Sequence, residues 1–444
     1  MIGAKLVGYG AYLPRYRLQR GKTKRAVASY DEDAITMAVG AVRRLPDSRV
    51  EATQLYLATS TPPFWDKSNA GTVHAASGLR DAAYCVDVAG LRSGFDALRL
   101  ASQSGGIAVM SDLRTGRPGS AEEQEGGDGA AAFLFASEGD AIAEIVATVS
   151  LPTEVMDIWR QPGARWSSTC EERFASTMST PVVREAVTRL GLEAPPTWTL
   201  VSALNGRFAT TTSASFKPVR GTDLLQAHRG DTGYCGAADP GLLLARALDE
   251  ARAGDTILLV AIAGGADAML LHVLRDGAGS KSGLEPLALD YVSYLTWRGL
   301  LEREPARRPE RASVAAPASF RNRGWKFGLQ GSRCTACEAI HLPPQRVCSN
   351  CHAVDASAPY DASGRSARIA AFSSDLVSDS PAPPAVAAMI DFEGGGRVMM
   401  ELAEAKPGEL VVGDPVQITF RRTYEVDATP NYFWKARPSK RASA

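Results

Sequence analysis

Segments whose apolar residues have the spacing of a strand alternate with segments of helical spacing along the first 150 residues. Residues 4–10 form an apolar run that ends in a glycine-rich turn, and residues 31–44 carry apolar side chains at helical spacing after an acidic first turn. The same spacing rules predict strands at 54–60, 83–88 and 130–135, the one at 83–88 buried, and helices at 68–77 and 94–102. Alternation of this kind is typical of an α/β protein.

The alternation returns after residue 151. A strand is predicted at 199–203, a helix at 241–252 that stops at Gly254-Asp255, and a central strand at 256–263 that runs into Gly264-Gly265. Two βαβ-rich stretches of similar length, 1–150 and 151–300, therefore predict a duplicated α/β core.

The composition changes after a helical segment predicted at 294–301. Residues 301–325 are rich in Pro, Arg and Ala and bury little apolar surface, so we expect a linker there. Short alternating segments follow at 367–372, 385–392, 397–402 and 415–421, with a hairpin turn at 394–396. These strands predict a small β-barrel over residues 359–440.

Four of the seven cysteines lie close together, at Cys334, Cys337, Cys348 and Cys351. Two C-x-x-C turns separated by ten residues are the spacing of a zinc ribbon, because each turn presents two thiolates and two turns close a tetrahedral four-sulfur shell. A closed shell indicates a structural zinc, in a ribbon spanning 326–358. Alternatives are iron in the same site, a neighbouring His341 or His352 in place of one cysteine, or four buried thiols.

The charge balance of the chain bears on its partners and excludes few classes of function. The chain has 49 Lys and Arg against 49 Asp and Glu, a formal net charge of zero, which offers no basic face for nucleic acid or for an anionic membrane. Since no apolar run approaches the roughly 20 residues that span a bilayer and no secretion signal is visible, we expect a cytoplasmic protein without membrane or nucleic-acid partners.

The C-terminal region resembles a known pair of domains. A four-cysteine ribbon followed by a barrel that ends in the sequence Asn-Tyr-Phe-Trp-Lys-Ala-Arg-Pro, residues 431–438, is similar to the rubredoxin-like zinc ribbon and OB-fold proteins that accompany thiolase-type enzymes. The resemblance implies a module that binds or channels acyl-CoA for an associated thiolase. An OB-fold with Tyr432, Phe433 and Trp434 as a stacking platform for single-stranded nucleic acid is the alternative to packing of these rings in a core.

The first 275 residues resemble hydroxymethylglutaryl-CoA synthases of the archaeal and bacterial kind. The matching segments are 6–16 (Leu-Val-Gly-Tyr-Gly-Ala-Tyr-Leu-Pro-Arg-Tyr), 127–132 (Gly-Asp-Gly-Ala-Ala-Ala), 230–233 (Gly-Asp-Thr-Gly) and 258–267. This resemblance to the thiolase superfamily implies a five-layered αβαβα fold, usually dimeric, that makes or breaks carbon–carbon bonds next to a CoA thioester.

The catalytic positions that the resemblance implies are altered. Arg92 stands where the family has its nucleophilic cysteine, and arginine cannot carry an acyl group. No carboxylate occupies 60–63, where the synthases have a general acid, and no histidine occupies 202–207. Asp231 stands where ketoacyl synthases have asparagine in a G-N-T loop.

Candidate roles can still be assigned to the residues that remain. Asp231 is a candidate base or the cap of a turn; Arg92 and Ser93, at a helix start, are candidates to hold a thioester or enolate oxygen, with Arg92 alternatively paired to a structural acid. Asn205 completes the catalytic set, and Gly264, Gly265 and Thr232 are expected to line the substrate site. Cys235 is a displaced nucleophile or a buried thiol.

These residues favour acyl-CoA chemistry without a cysteinyl thioester. We expect an acyl-CoA lyase (aldolase) or acyltransferase that carries out an aldol, retro-aldol or non-canonical condensation on a CoA thioester. A non-catalytic scaffold that channels acyl-CoA for a separate thiolase is the alternative, and a homodimer is expected in either case. The acyl group and the direction of reaction are not determined by the residues.

Overall fold

The computed structural model describes residues 3–21, 23–277, 285–304 and 312–439. These residues form two compact units. The first comprises the chain up to residue 28 with 33–74 and 79–291; the second comprises 29–32, 75–78 and the chain from 292 onward. The main division thus falls between Tyr291 and Val292, before the position expected from composition.

The first unit is built from strands and helices in alternation. Its strands are β1 (Lys5–Tyr12), β2 (Tyr16–Arg20), β3 (Thr23–Val27), β4 (Gln54–Thr59), β5 (Tyr84–Ala89), β6 (Gly106–Asp112), β7 (Gly129–Ala136), β8 (Ala143–Pro152), β9 (Ile158–Trp159), β10 (Ser168–Thr169), β11 (Trp198–Ser202), β12 (Thr256–Ile262), β13 (Gly265–Val273) and β14 (Leu287–Leu289). The helices that begin in it are α1 (Ala34–Val42), α2 (Ala70–Ser77), α3 (Ser93–Ser104), α4 (Ala121–Glu125), α5 (Glu172–Leu190), α6 (Gly206–Ser215), α7 (Thr222–Asp231) and α8 (Asp239–Glu250).

Strand pairing confirms the predicted duplication of the core. Nine strands form one mixed sheet in the order β11-β12-β13-β8-β1-β7-β6-β4-β5. In the first half β4 pairs parallel with β6, β6 antiparallel with β7, and β7 antiparallel with β1; in the second half β11, β12, β13 and β8 repeat these three pairings in the same sequence. The two halves meet where Leu6 of β1 pairs with Ala143 of β8.

Helix α1 shows why a predicted helix start can be off by a turn. Its N-cap is Asp33, whose side chain accepts a hydrogen bond from the Thr36 N–H at 2.9 Å, while the Thr36 hydroxyl oxygen accepts from the Asp33 N–H at 2.8 Å. This capping box satisfies two backbone donors that have no partner within the helix. The acidic residues before it therefore precede the helix and are not its first turn.

The prediction that residues 83–88 form a buried strand is wrong. Strand β5 lies at the edge of the sheet, where it pairs with β4 alone, and its side chains are half-buried or exposed. Tyr84 is 66% exposed. Apolar and β-branched residues fit an edge strand as well as a central one, so composition does not separate the two cases.

The second unit contains a ribbon and a barrel. The elements from Tyr291 onward are α9 (Tyr291–Trp297), α10 (Ala316–Arg321), α11 (Arg323–Gly328), β15 (Gln330–Cys334), β16 (Ile340–His341), β17 (Ser357–Asp361), β18 (Ala367–Asp375), β19 (Ala385–Phe392), β20 (Arg397–Glu401), β21 (Pro415–Val426) and β22 (Thr429–Pro438). The ribbon sheet has the order β16-β15-β17, and the barrel sheet has the order β20-β19-β18-β21-β22.

The predicted linker at 301–325 contains helical structure. Helices α10 and α11 occupy its second half, with a proline in the first turn of α10, where the missing N–H costs nothing. The ring of Trp325 lies 5.4 Å from that of Phe433, and Phe327 lies 6.3 Å from Phe420. These aromatic rings pack against the barrel, so the predicted linker ends in helices that bury apolar surface. Residues 305–311 of the predicted linker lie outside the described residues.

The aromatic residues near the C-terminus form part of the barrel core. Tyr432 and Trp434 are 3% and 1% exposed, and both rings lie within 5.6 Å of the Phe420 ring. Rings buried in this way cannot stack on nucleic-acid bases, so the structure favours the core role over the stacking platform. Within the described residues, no helix is long and apolar enough to cross a lipid bilayer.

Candidate functional site

The four ribbon cysteines converge in two turns of the same conformation. The N–H of Glu338 donates to the Cys334 carbonyl, and the N–H of His352 donates to the Cys348 carbonyl; Glu338 and His352 both have positive φ, +62° and +61°. Each turn therefore reverses the chain directly after its second cysteine.

The sulfur positions fit a tetrahedral metal site. All four sulfurs lie within 4.8 Å of one another, with Cys334–Cys351 at 3.6 Å and Cys337–Cys348 at 3.5 Å. A zinc–sulfur distance of about 2.3 Å separates tetrahedral ligands by about 3.8 Å. Neither His341 nor His352 belongs to the cluster, so the donor set is the four cysteines.

Hydrogen bonds stabilise the thiolate form of two of these sulfurs, those of Cys337 and Cys348. The Asn350 side-chain amide donates to the Cys337 sulfur at 3.5 Å and, with the Ala339 N–H, lowers the pKa of Cys337 to about 6. The backbone N–H groups of Asn350 and Cys351 donate to the Cys348 sulfur at 3.4 and 3.5 Å. Donors directed at sulfur stabilise the deprotonated form that binds metal.

Arg92 is held in a buried ion pair. It caps the N-terminus of α3, and its guanidinium donates to Asp267 Oδ2 at 2.9 Å, to Asp267 Oδ1 at 2.6 Å and to Ser150 Oγ at 2.8 Å. A third nitrogen donates to the Gly264 carbonyl at 3.3 Å. The hydrogen bond with Asp267 raises the pKa of Arg92, so this side chain is a permanent cation with a structural partner.

The predicted neighbours of Arg92 lie beside it. Ser93 is fully buried, and its hydroxyl donates to the Gly90 carbonyl at 2.6 Å. Gly264 and Gly265 form the turn between β12 and β13 with φ of +56° and +126°, and the Gly264 N–H donates to Asp157 Oδ2 at 2.7 Å. Through Gly264, Arg92 is thus linked to Asp157.

Asp157 lines a cavity that we call the Asn205 cavity. It has a volume of about 130 Å³, and its lining includes Glu125, Asp157, Cys170, Asn205 and Tyr234. Asn205 is the N-cap of α6, and its Oδ1 accepts from the Phe208 N–H at 2.7 Å. The amide nitrogen of Asn205 is therefore the end that remains for a ligand. Among the described residues that line this cavity there is no histidine.

Glu125 is a site residue that sequence reasoning missed. One oxygen of its carboxylate, Oε2, accepts from the Gly206 N–H at 2.8 Å, next to Asn205, while Oε1 has no hydrogen-bond donor among the described residues. Its backbone carbonyl accepts from the Tyr234 N–H at 2.7 Å. Glu125 ends α4 and lies 81 residues before Gly206, so no local pattern connects the two.

Asp231 lies in a different cavity, which Arg17 and Arg246 also line and which we call the Arg17 cavity. The volume of this cavity is about 480 Å³, and Asp231 lines it near the end of α7. Thr232, the next residue, is fully buried and lines neither cavity. Both Asp231 oxygens accept from Arg246, at 2.8 and 2.9 Å, and Oδ1 also accepts from the Thr232 hydroxyl at 2.6 Å. The structure therefore does not bring Asp231 together with Arg92 or with Asn205 in one cavity.

A buried polar cluster lies at the end of β6, around its last residue, Asp112. The carboxylate of Asp112 accepts from the N–H and hydroxyl of Ser60, from the Thr61 hydroxyl and from the Ala237 N–H, all within 2.8 Å. Arg114, 1% exposed, donates to Ser60 and forms an ion pair with Glu122. Charged residues at the end of an apolar run, residues 106–110, are the signal that could have predicted this cluster. The cluster holds the loop after β4, residues 60–63, which has no carboxylate of its own.

Cys235 is not accessible as a nucleophile. It is fully buried, and burial raises the pKa of its thiol well above the ordinary value. His228 and Asp239, its neighbours, are also buried, with the His228 Nε2 3.0 Å from Asp239 Oδ1. Burial lowers the pKa of His228 despite this partner, which favours the neutral imidazole. Of its two alternatives, the structure favours the buried thiol.

Family models match the second unit. Residues 329–355 match the rubredoxin-like zinc ribbon domain of ChsH2, and residues 360–421 match the C-terminal OB-fold domain of ChsH2. The matches cover the four-cysteine cluster and most of the barrel, and they confirm both predictions.

Curated relatives match about three fifths to two thirds of the chain. The hydroxymethylglutaryl-CoA synthase of Thermoplasma acidophilum is 28% identical over 303 residues, covering 59% of this chain and 84% of the relative. The enzyme of the same name from Pyrobaculum aerophilum is 26% identical over 349 residues, covering 67% of this chain and 98% of the relative.

Solved structures share the fold. A crystal structure of HMG-CoA synthase complexed with CoA aligns with a TM-score of 0.57 at 15% identity, covering 67% of this chain and 87% of that one. The 3-oxoacyl-[acyl-carrier-protein] synthase III of Aquifex aeolicus aligns at 0.51 and 19% identity, covering 61% of this chain and all of that one. The chain therefore combines a thiolase-like fold, with sequence similarity to hydroxymethylglutaryl-CoA synthases, and C-terminal segments that match the rubredoxin-like zinc ribbon and OB-fold domains of ChsH2.

Proposed function

We propose that this protein makes or breaks a carbon–carbon bond next to a CoA thioester, at the Asn205 cavity and without a cysteinyl intermediate. The relationship to hydroxymethylglutaryl-CoA synthases supports the substrate class. The observation that carries the proposal is the meeting of Glu125 and Asn205 at the start of α6, where the Gly206 N–H orients the carboxylate.

Glu125 and Asn205 supply the two functions that aldol chemistry needs. In the cleavage direction, Glu125 removes the proton from the β-hydroxyl, the Cα–Cβ bond breaks, and the carbonyl fragment leaves. The electron pair passes to the thioester as an enolate, whose oxygen accepts a hydrogen bond from the Asn205 amide. Cα then takes up the proton held by Glu125. Condensation is the same sequence in reverse, and neither direction forms an acyl-enzyme.

Arg92 and Asp231 enter this scheme differently. Arg92 holds the Gly264 carbonyl and so positions Asp157, which lines the cavity. Asp231 remains a candidate base from sequence, but to act it would have to release Arg246 in the Arg17 cavity. Comparing Asp231→Asn with Glu125→Gln therefore distinguishes the two candidate bases.

The test is turnover by the zinc-loaded full chain. A panel of β-hydroxyacyl-CoA thioesters is incubated with the protein, and acetyl-CoA release is measured by mass spectrometry. Glu125→Gln is expected to lower kcat by about 10²-fold or more. Asn205→Asp keeps the acceptor that caps α6 but loses the amide donor, so it should lose activity with little loss of stability. Arg184→Gln, on the exposed side of α5, is the control.

Three results would contradict the proposal. Full activity in both Glu125→Gln and Asn205→Asp would exclude these roles. Loss of activity in Asp231→Asn with Glu125→Gln unaffected would move the chemistry to the Arg17 cavity. An acyl adduct of the intact protein after incubation with acetyl-CoA would show a covalent intermediate.

A second candidate function is a non-catalytic scaffold for a separate thiolase. The Arg92–Asp267 pair favours it, because a satisfied ion pair occupies the position expected for the nucleophile. In this case the chain alone shows no turnover, copurifies with a thiolase, and supports that enzyme's activity equally well with Glu125→Gln.

The role of the zinc, the oligomeric state and the cellular location are also part of the proposal. The zinc is structural, because four cysteines leave no open coordination position.

A homodimer is supported by β5, an edge strand with β4 as its one partner in the sheet, since an unpaired edge offers hydrogen bonds to a second copy. Sedimentation velocity would contradict the dimer by giving a monomer at micromolar concentration. The cytoplasm is the proposed location.

A further inference from the structure

We propose that the Arg17 cavity binds a small organic anion that has a carboxylate or phosphate head and an apolar body. The cavity is formed by the segment that follows β1 and by helices α7 and α8. Its volume of about 480 Å³ exceeds that of the Asn205 cavity. It falls within the range of roughly 300–1,000 Å³ typical of small-molecule sites. The five residues that define the Asn205 cavity do not line it, so this proposal is independent of the proposed reaction.

Most charged groups of the Arg17 cavity already have protein partners. Asp231 is paired with Arg246. Asp249 accepts from the Tyr9 hydroxyl at 2.8 Å, and the Nε of Arg15 donates to the Glu285 carbonyl at 2.9 Å. Glu250 is exposed. Arg17, by contrast with Arg246, has no carboxylate partner among the described residues.

Arg17 is a half-buried cation without a carboxylate partner. One guanidinium nitrogen, Nη1, donates to the backbone carbonyls of Pro14 and Tyr16, at 2.6 and 3.0 Å. Among the described residues no carboxylate oxygen lies within 4 Å of Arg17, and its Nε and Nη2 have no acceptor. Burial lowers the pKa of Arg17, an effect that Asp231 opposes, but a guanidinium stays charged at neutral pH. A partly desolvated cation with free donors is stabilised by an anion.

The shape and lining of the cavity define the rest of the ligand. The planar fork of an arginine matches the two oxygens of a carboxylate or phosphate. Leu13, Leu224 and Leu242 form apolar parts of the wall. Arg15 and Arg246 are the other two cations that line the space. A ligand with an anionic head at Arg17 and a short hydrocarbon body against the leucines satisfies both surfaces. The acidic residues on the rim disfavour a purely ionic, highly charged ligand.

Calorimetric titration of the zinc-loaded full chain tests this proposal. The probes are octanoate, octyl phosphate, inorganic phosphate and octylamine. Octanoate or octyl phosphate should bind, and which of the two binds more tightly identifies the head group. Arg17→Gln is expected to weaken this binding at least tenfold, whereas Arg17→Lys, which keeps the charge, should weaken it less.

A second variant guards against misfolding of Arg17→Gln. Ala227→Trp places a large side chain in the cavity from the exposed side of α7, without changing Arg17 or its carbonyl partners, and should also abolish binding. Arg184→Gln, far along α5, should bind like the native chain. The proposal is overturned if neither octyl anion binds, if both cavity variants bind normally, or if octylamine or inorganic phosphate binds as tightly as the octyl anions.

Discussion

Arg92 and Asp267 form two parallel hydrogen bonds between a guanidinium and a carboxylate, Nε to Oδ2 at 2.9 Å and Nη2 to Oδ1 at 2.6 Å. The two residues lie 175 positions apart, one at the start of α3 and the other on β13. The pair therefore joins the first half of the duplicated core to the second. Asp267 has no exposed surface, and Arg92 keeps about a quarter of its side chain exposed.

This pair predicts a large loss of stability when one partner is removed. Arg92→Ala leaves the Asp267 carboxylate buried without its counter-charge, which typically costs about 3–5 kcal/mol. The free energy of unfolding of the first unit, measured by urea denaturation, should fall by this order. The double variant Arg92→Ala/Asp267→Ala should lose less than the sum of the two single variants. Simple additivity would show that the two side chains are not coupled.

The turn beside this pair predicts a difference between two adjacent glycines. Gly264 has φ +56°, a left-handed conformation that other residues can adopt, and a Cβ there meets open space. Gly265 has φ +126°, and a Cβ there would overlap the Leu151 carbonyl. We expect Gly264→Ala to cost about 1 kcal/mol and Gly265→Ala several times more, because rigid backbone must move. Thermal unfolding of the two variants makes the comparison, and equal losses would contradict it.

Sequence periodicity predicts much of the fold because the apolar runs are local. Strand β12 is predicted within one residue, since seven consecutive positions from Thr256 are apolar or β-branched. Strand β22 was missed because Lys435 and Arg437 interrupt its pattern, although both are buried. Their charges are neutralised by Asp31, Glu401 and Glu404, which lie far away in the sequence.

The difference between local patterns and contacts distant in sequence also separates the two candidate sites. The zinc ligands are predictable because each pair of cysteines belongs to one tight turn, whose spacing alone specifies the geometry. The approach of Glu125 to Gly206 depends on how α4 and α6 pack and leaves no local signal. Asp231 was assigned by its resemblance to a position in ketoacyl synthases. Such a resemblance predicts the element on which a residue lies, but it does not predict which cavity the residue lines.

The ribbon predicts one tightly bound zinc per chain. Metal analysis of the purified full chain should give one equivalent of zinc, or of iron in iron-rich medium. Cys334→Ser should lose the metal, since three thiolates no longer close the shell, whereas Cys170→Ser should retain it. Structural zinc contributes on the order of 10 kcal/mol to such small modules. Metal loss should therefore increase hydrogen exchange across 330–361, and unchanged exchange would contradict a structural role.

A buried charged cluster in the second unit gives that unit a defined pH range of stability. Asp31 is 2% exposed and contacts Lys435 at 3.0 Å and Arg421 at 3.1 Å. Burial alone would raise the pKa of Asp31, but Lys435 and Arg421 outweigh it and hold the pKa well below its ordinary value. Burial would likewise lower the pKa of Lys435, but Asp31, Tyr30 and Glu401 raise it above its ordinary value.

These opposite shifts predict the effect of Asp31→Asn across pH. A depressed carboxyl pKa adds stability that is present above its unfolded value of about 3.9 and is lost as the pH falls from there; the raised ammonium pKa adds stability that is lost above about pH 10.4. Native stability of the second unit should therefore exceed that of Asp31→Asn by about 3–5 kcal/mol near pH 7, with the difference shrinking below about pH 4. Urea unfolding, followed by hydrogen exchange of 415–438, measures this difference. Zinc loss in acid affects both proteins equally and cancels, and a difference that does not change with pH would show that Asp31 acts by packing and not by charge.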